Sequence, residues 1–180
     1  PSLGQAKTRL AATIGKEKAL SIYLDLLAHT CDISSKANAT KVIFYSDFIE
    51  ENDCWSKNGF QQEVQKGEDL GSKMMNAFQL MFSKGFNKVA IIGTDCLELD
   101  TATIDKAFVS LDSKNIVLGP AHDGGYYLLG MKKMEESIFL NMTWSTDTVL
   151  KETLSRLSIR KLSVDLLQTL TDIDEEKDLK

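Results

Sequence analysis

The sequence has little of the material that defines several common classes of protein. It contains 2 prolines and 11 glycines among 180 residues and no biased tract, which excludes collagen-like repeats and a low-complexity tail. The 2 histidines, His29 and His122, are too few for a histidine-rich zinc site. No apolar run approaches the ~20 residues that a membrane-spanning helix needs, and no signal peptide is visible. We therefore expect a folded protein without a membrane span.

Cysteine and positive charge are also scarce. The 3 cysteines, Cys31, Cys54 and Cys96, form no CxxC pair and leave one over in any disulfide scheme. Reduced thiols and a cytoplasmic location are the simplest expectation. The formal net charge of -5 would repel a phosphate backbone, so nucleic acid is not expected as a partner. A few cations can still converge on a small anion. The sequence leaves the oligomeric state open.

The apolar residues that are present suffice for one core. With 43% hydrophobic residues, we expect residues 1–180 to form a single domain. Helical and strand periods alternate, which predicts a three-layer α/β/α fold with a mostly parallel sheet. The continuously apolar run Val89–Ile92 is typical of a strand buried on both faces, and we place it at the sheet centre. Residues 126–129 predict a strand that returns across the sheet. Ligands of such folds lie beyond the carboxyl ends of the strands.

The first candidate site segment, Gly4–Leu10, combines a glycine with two cations. Gly4 allows close backbone approach, and Lys7 and Arg9 offer donors suited to phosphate oxygens. Cations near an N-terminus are often only solvated surface residues. The segment is not a P-loop, because the GxxxxGK[ST] spacing is absent.

The second segment follows the most apolar predicted strand. Asp95 there would face the ligand crevice, and Mg²⁺ or Mn²⁺ bridging it to a diphosphate would neutralise a leaving group. An aspartate that merely caps a turn is the alternative. Cys96 is better explained as a small buried side chain than as a nucleophile.

The third segment contains Asp123 followed by Gly124 and Gly125. Two adjacent glycines predict torsions or close contacts that side chains would forbid. Asp123 could complete the metal site or orient an acceptor hydroxyl. His122 could contact phosphate, although a histidine without a ligand is the simpler interpretation.

Two further segments begin helices. Asp69 is suited to be an N-cap, although the residues after it would face the same crevice. Capping also explains Ser145 or Thr146, but it does not require the tryptophan beside them. Trp144 could stack on a sugar or base, or could pack in the core.

Read together, these segments resemble a bacterial family of GT-A-type glycosyltransferase-like proteins, the radical-SAM/selenodomain-associated transferases linked to arsenosugar biosynthesis. The matching segments lie in the family's order along almost the whole chain: Pro1–Leu10 resembles P-x-P-G-x-x-K-T-R-L, Glu68–Met74 resembles G-D-L-G-x-R-M, Gly93–Leu97 resembles G-T-D-C-P, Asp123–Gly130 matches D-G-G-Y-Y-L-[IL]-G, Trp144–Thr146 matches W-S-T, and Asp172–Leu179 resembles D-I-D-T-P-E-D-L. This chain departs from the family pattern at Leu3, Glu68, Lys73 and Leu97.

The resemblance implies a nucleotide-diphospho-sugar transferase fold, Rossmann-like, with a first β-strand before residue 1. It implies that Gly4, Lys7 and Arg9 meet the nucleotide or its phosphates, and that Asp69 and Lys73 also bind the nucleotide or its phosphates. It also implies that Asp95 binds Mg²⁺ or Mn²⁺.

The later motifs supply the candidates for metal, acceptor and sugar binding. Asp123 falls in the second acidic motif, with a metal or acceptor role, so Asp95 and Asp123 are the catalytic and metal-binding candidates. The candidates for acceptor or sugar binding are Gly124, Gly125, Trp144, Ser145 and Thr146.

The leading hypothesis is metal-dependent transfer of a glycosyl group from a nucleotide-sugar to a small acceptor. A nucleotidyltransferase, which joins a nucleoside triphosphate to a phosphorylated acceptor and releases pyrophosphate, is the nearest alternative. The G-x-G-T-R loop usual in sugar-phosphate nucleotidyltransferases is not present. A non-catalytic nucleotide-binding module, with a decayed site at Leu3, Lys73 and Leu97, is a third. A Rossmann dehydrogenase is disfavoured because GxGxxG is absent.

Overall fold

Helices and strands alternate along the chain as the sequence predicts. The computed structural model describes residues 7–179. Its helices are α1 (Thr8–Ile14), α2 (Lys16–Lys36), α3 (Cys54–Lys57), α4 (Leu70–Ser83), α5 (Thr101–Ser113) and α6 (Val149–Ile159). Its strands are β1 (Val42–Tyr45), β2 (Gln61–Val64), β3 (Val89–Ile92), β4 (Ile116–Pro120), β5 (Tyr126–Met131) and β6 (Val164–Leu166). Short 3₁₀ turns lie at Glu136–Ile138 and Glu176–Asp178.

The described strands form two sheets. β1 and β2 pair in parallel, and the four-stranded sheet has the order β3-β5-β4-β6. β5 is antiparallel to both of its neighbours, whereas β4 and β6 are parallel, so β3, β4 and β6 all run in one direction. The returning strand predicted at residues 126–129 is confirmed as β5.

The predicted central position of β3 is wrong within residues 7–179. β3 is an edge strand there, hydrogen-bonded to β5 on one side. Its other side lines the same cavity as Val42–Phe44 of β1. The apolar run arises because both faces of β3 are covered, but coverage of the faces does not fix a strand's place in the order.

Helices cover both faces of the four-stranded sheet. In β4, Ile116 and Leu118 join the core cluster that contains Phe78 of α4 and Leu157 of α6. Val117 between them joins the opposite cluster, with Leu111 of α5. Because strand side chains alternate between faces, β4 is buried on both sides, and the predicted three-layer fold is confirmed.

A third cluster places the start of the chain beside its last segment. Gly15, at φ 90°, separates α1 from α2 and lets α1 fold back on α2. Leu10 of α1 and Leu26 of α2 are fully buried and pack with Ile173. α1 is therefore held against the segment that follows β6.

None of the helices within residues 7–179 combines the length and the apolar character that crossing a membrane requires.

Candidate functional site

Segments from along the whole described chain meet in one large cavity, which we call the central cleft. The start of α1, helix α4, the loops after β3 and β4, the loop before α6 and the segment after β6 contribute to it, and its volume is about 980 Å³. At one end, between β1 and β3, apolar side chains such as Val42, Phe44 and Ile91 line it, together with Lys41 and Lys88. The other end carries the charged side chains of Lys7, Arg9, Lys73, Asp95, Asp123, Asp147, Asp172 and Asp174. This charged end lies at the carboxyl end of β3, where ligands bind in such folds.

Lys7 joins two of the carboxylates. Its Nζ donates to Asp95 Oδ2 at 3.2 Å and to Asp174 Oδ1 at 2.7 Å, across 88 and 167 residues of sequence. The Lys7 side chain is 10% exposed. Burial disfavours the ammonium, but the charges and hydrogen bonds of Asp95 and Asp174 outweigh it and raise the pKa of Lys7 above its ordinary value. Lys7 is therefore a charged, nearly buried ammonium inside the cleft.

Asp95 is fixed by the backbone around it. A Cβ on Gly93 would lie 2.7 Å from Asp95 Oδ1, so the glycine gives the carboxylate room to fold back over the strand end. Gly93 N–H donates to Tyr127 C=O at 2.9 Å, and Ile173 N–H donates to Asp95 C=O at 2.8 Å. The second bond ties the segment after β6 to the loop after β3.

Asp172 is the most perturbed acid of the cleft. Its Oδ1 is buried and has no hydrogen-bond partner within residues 7–179. Burial, followed by repulsion from Asp95, Asp123 and Asp174, raises the pKa of Asp172 to about 7. Carboxylates that converge in this way create a field that favours a cation.

Asp123 lies in a tight turn at the rim. Its Oδ1 accepts a hydrogen bond from Gly125 N–H at 2.8 Å, and its side chain is exposed. Gly124, at φ 91°, lies directly against the backbone of Asp147, and its carbonyl accepts from Leu150 N–H at 2.9 Å. Gly124 therefore joins this turn to the loop that contains Trp144.

Trp144 packs onto the start of α4. Its ring stacks on Phe139 with centroids 6.3 Å apart, and its indole edge lies on Gly71. The ring is half-buried and lines the cleft, so one part of it packs in the core and another part is open to the cleft. Ser145 and Thr146 also line the cleft, and Thr146 Oγ1 donates to Thr143 C=O at 3.0 Å.

The remaining predicted residues differ in where they lie. Arg9 is exposed on α1 and Lys73 is half-buried on α4, and both line the cleft. Asp69 is the N-cap of α4: its side chain accepts from Ser72 N–H at 2.6 Å, it is exposed, and it does not line the cleft. The capping interpretation of Asp69 thus accounts for its contacts. Gly4 lies outside the described residues.

The sequence predictions missed three acids of the cleft, Asp147, Asp172 and Asp174. The D-I-D pattern at positions 172–174 was visible, but no role followed from it. Two carboxylates that flank one apolar residue were the available signal. The structure supplies the reason for the spacing, since Ile173 is 5% exposed in the α1–α2 core while the acids on either side line the cleft.

Within residues 7–179, no three acidic, histidine or cysteine side chains approach closely enough to hold a metal ion by themselves. Mg²⁺ is commonly held by one or two carboxylates together with substrate phosphates and water. Burial and then repulsion by Asp95, Asp123 and Asp174 raise the pKa of Asp172, and its Oδ1 has no hydrogen-bond partner within residues 7–179. The donor set thus fits a cation shared with a bound diphosphate rather than a cage made of protein alone.

Residues 29–146 match the bacterial family DUF2064, described as an uncharacterized protein conserved in bacteria. The chain belongs to the DUF2064 family. The match spans more than half of the chain, and it includes Asp95, Asp123 and Trp144 but not Lys7 or Asp174. No curated protein shows significant similarity to this DUF2064 chain.

Solved structures share the fold of this DUF2064 protein. One from Desulfovibrio desulfuricans G20, described as a "putative nucleotide-diphospho-sugar transferase", covers 99% of this chain and 80% of its own, with a TM-score of 0.91 and 28% identity. The predicted resemblance to nucleotide-diphospho-sugar transferases is confirmed at the level of family and fold.

More distant structures include two proteins with CTP in their descriptions. The inositol-1-phosphate CTP transferase from T. maritima has a TM-score of 0.59 and 18% identity, over 97% of this chain and 88% of its own. A CMP:2-keto-3-deoxy-manno-octonic acid synthetase complexed with CTP has a TM-score of 0.55 and 6% identity, over 86% of this chain and 84% of its own. At these identities, the likeness concerns the fold.

Proposed function

We propose that this protein is a transferase that moves a glycosyl group from a nucleotide-diphospho-sugar to a hydroxyl of a small acceptor. The observation that carries the proposal is the contact between Lys7 Nζ and Asp95 Oδ2 at 3.2 Å. This contact places an ammonium, which can bind phosphate oxygens, beside a carboxylate, which can bind a divalent cation, at the carboxyl end of β3. The fold shared with the D. desulfuricans protein supports it.

Three cations would contact the diphosphate in this proposal. Lys7, Arg9 and Lys73 all line the charged end of the cleft. Lys7 stays protonated throughout the neutral range, because its pKa is raised. Fixed charges that face a leaving group stabilise the negative charge that develops on it.

Asp95 and Asp123 are the proposed ligands of Mg²⁺ or Mn²⁺. Such a cation, when bound, neutralises charge on the diphosphate. Asp95 is held for this task by the space over Gly93 and by the bond from Ile173 N–H to its carbonyl. Asp123 is oriented by Gly125 N–H.

In the reaction, the bond between the anomeric carbon and the diphosphate oxygen breaks, and the acceptor oxygen forms a bond to that carbon. The hydroxyl proton of the acceptor is released to solvent, and the nucleoside diphosphate leaves. Trp144, Ser145 and Thr146 form the cleft wall proposed for the sugar or the acceptor. Positioning and charge neutralisation would supply most of the acceleration.

Nucleotidyl transfer is the second candidate, and the two CTP-related structures of the same fold favour it. There, an acceptor phosphate oxygen attacks the α-phosphorus of a triphosphate and pyrophosphate leaves. The same cations and carboxylates would serve this reaction.

One assay separates the two candidates. The protein is incubated with Mn²⁺ or Mg²⁺ and either nucleotide-sugars or nucleoside triphosphates, each with hydroxylated and phosphorylated acceptors. Release of nucleoside diphosphate that EDTA abolishes supports glycosyl transfer, whereas release of pyrophosphate supports nucleotidyl transfer. Nucleotide binding without either product would favour a non-catalytic module and contradict the proposal.

A further inference from the structure

The position of Lys7 has a consequence for any cation that binds at Asp95, given the proposed function. The Lys7 ammonium lies 3.2 Å from Asp95 Oδ2, where it neutralises the carboxylate that a divalent cation requires. Lys7 and the cation thus compete for one carboxylate. In the protein without nucleotide, the Lys7 ammonium occupies the place beside Asp95 that a divalent cation would take.

The two partners of Lys7 are unequal. Asp174 Oδ1 lies 2.7 Å from Lys7 Nζ, within ordinary hydrogen-bond range, while Asp95 Oδ2 at 3.2 Å is at its limit. An ammonium has three donors, so Lys7 can keep its bond to Asp174 while another donor turns to a new acceptor. The weaker contact, to Asp95, is the one that a phosphate oxygen would replace.

The backbone supports Asp174 as the fixed partner. Asp174 N–H donates to Asp178 Oδ2 at 3.1 Å. The neighbouring Ile173 donates its N–H to Asp95 C=O, and its side chain packs in the α1–α2 core. α1, which follows Lys7, contributes Leu10 to that same core cluster. Lys7 and Asp174 are therefore held together by packing as well as by charge.

We propose that Asp174 is a positioning residue: it holds the Lys7 ammonium so that Lys7 covers Asp95 in the free protein and turns to the diphosphate when nucleotide binds. Asp174 acts through Lys7 and does not touch the reacting atoms. The free protein accordingly binds divalent cations weakly, and nucleotide and cation enter the site together.

The test is Mn²⁺ binding to the full chain without nucleotide, followed by electron paramagnetic resonance of the unbound ion. Lys7→Met frees Asp95 and should tighten Mn²⁺ binding about tenfold or more, a change of about 1.4 kcal/mol. Lys7→Arg keeps the charge and should bind as weakly as the parent. Lys84→Met is the matched control, because it removes the same charge from an ion pair with Glu63 outside the cleft and should change little.

Asp174→Asn distinguishes positioning from direct ligation. In the parent, this change removes the fixed partner of Lys7. Lys7 should then cover Asp95 less of the time, so Mn²⁺ binding should tighten, whereas loss of a metal ligand would weaken it. Combined with Lys7→Met, the same change should alter Mn²⁺ affinity less than about threefold, because Asp174 then has no lysine to hold. A tenfold loss in the double variant would make Asp174 a metal ligand and overturn the proposal.

The outcome is separable from that of the proposed function. If Lys7→Met binds Mn²⁺ no more tightly than the parent, the competition proposal is wrong even if the parent turns over a nucleotide-sugar. If no substrate is turned over but the five Mn²⁺ results hold, Asp174 keeps its positioning role and only the assigned reaction fails.

Discussion

Gly71 lies directly against Trp144, which occupies the space where a side chain at position 71 would project. A Cβ at Gly71 would lie 2.1 Å from Trp144 Nε1 and 2.5 Å from Cε2, far inside van der Waals contact. The indole cannot withdraw freely, since its face is stacked on Phe139. One glycine therefore decides where an aromatic wall of the cleft lies.

Gly71→Ala should displace the Trp144 ring and lower the free energy of unfolding by about 1–3 kcal/mol, the usual cost of overpacking. Urea unfolding measures the loss, and tryptophan fluorescence reports the altered ring environment. Adding Trp144→Phe should recover part of the stability, because the smaller ring leaves room for a methyl group. Unchanged stability in Gly71→Ala would contradict the described contact.

Asp95 gives the residue-scale prediction for activity. Asp95→Asn removes the charge but keeps the size of the side chain. The rate at which nucleoside diphosphate is formed in the transferase assay should therefore fall roughly 10²-fold or more. Asp32→Asn is the matched control, because Asp32 pairs with Lys36 on the exposed surface of α2. Equal loss in both variants would point to a general charge effect instead.

Individual residues were predictable to different degrees. The meeting of Lys7 with Asp95 followed from the rule that ligands bind beyond strand ends, combined with a resemblance along the chain. Asp174 was not predictable, because its partnership with Lys7 depends on how Leu10 and Ile173 pack in the same core. Such packing leaves no periodic trace in the sequence.

At the scale of elements, two loops of the cleft behave as one unit. Gly124 has a left-handed backbone, and a Cβ on it would lie 2.1 Å from the carbonyl oxygen of Asp147. Leu150 N–H, in the first turn of α6, donates to the Gly124 carbonyl. The turn after β4 and the loop before α6 are thus joined by backbone contact, which cannot yield as a flexible side chain would.

Gly124→Ala and Gly125→Ala form a matched pair of adjacent substitutions. The first should cost about 2 kcal/mol or more, because it combines a strained φ with a clash against backbone. The second places a Cβ 3.2 Å from Asp123 Oδ1 at its closest, so it should cost clearly less. Urea unfolding of both variants measures the difference, and equal costs would contradict the proposed joint between the loops.

Elements were predicted best where an apolar run had sharp polar borders. The predicted bounds of β3, Val89–Ile92, match the observed strand. α3, Cys54–Lys57, was missed because four residues carry too little periodicity. The edge position of β3 was missed because strand order depends on contacts between distant segments.

At the scale of the whole molecule, the acids of the cleft cost stability. The pKa of Asp172 rises from 3.8 to about 7, first through burial and then through repulsion by Asp95. The folded protein therefore binds this proton more tightly than the unfolded chain does. The stabilisation from protonated Asp172 is complete below about pH 4 and is lost as the pH rises to about 7.

Asp172→Asn keeps a neutral side chain at every pH. Without divalent cations, it should be more stable than the parent at pH 8 by about 1–3 kcal/mol and of equal stability near pH 4. Urea unfolding at several pH values gives the comparison, with Asp32→Asn as a surface control. A stability difference that is the same at pH 4 and pH 8 would contradict the raised pKa.

The amide hydrogen of Ile173 joins two of the segments that build the cleft, because it bonds to the carbonyl of Asp95. An isotope label at this one position would give a nuclear magnetic resonance signal that senses the loop without touching a ligand. Its chemical shift would follow occupancy of the cleft, and its rate of exchange with solvent would report how often the two segments separate. The fold thus carries a native reporter with which candidate nucleotides can be screened before any reaction product is known.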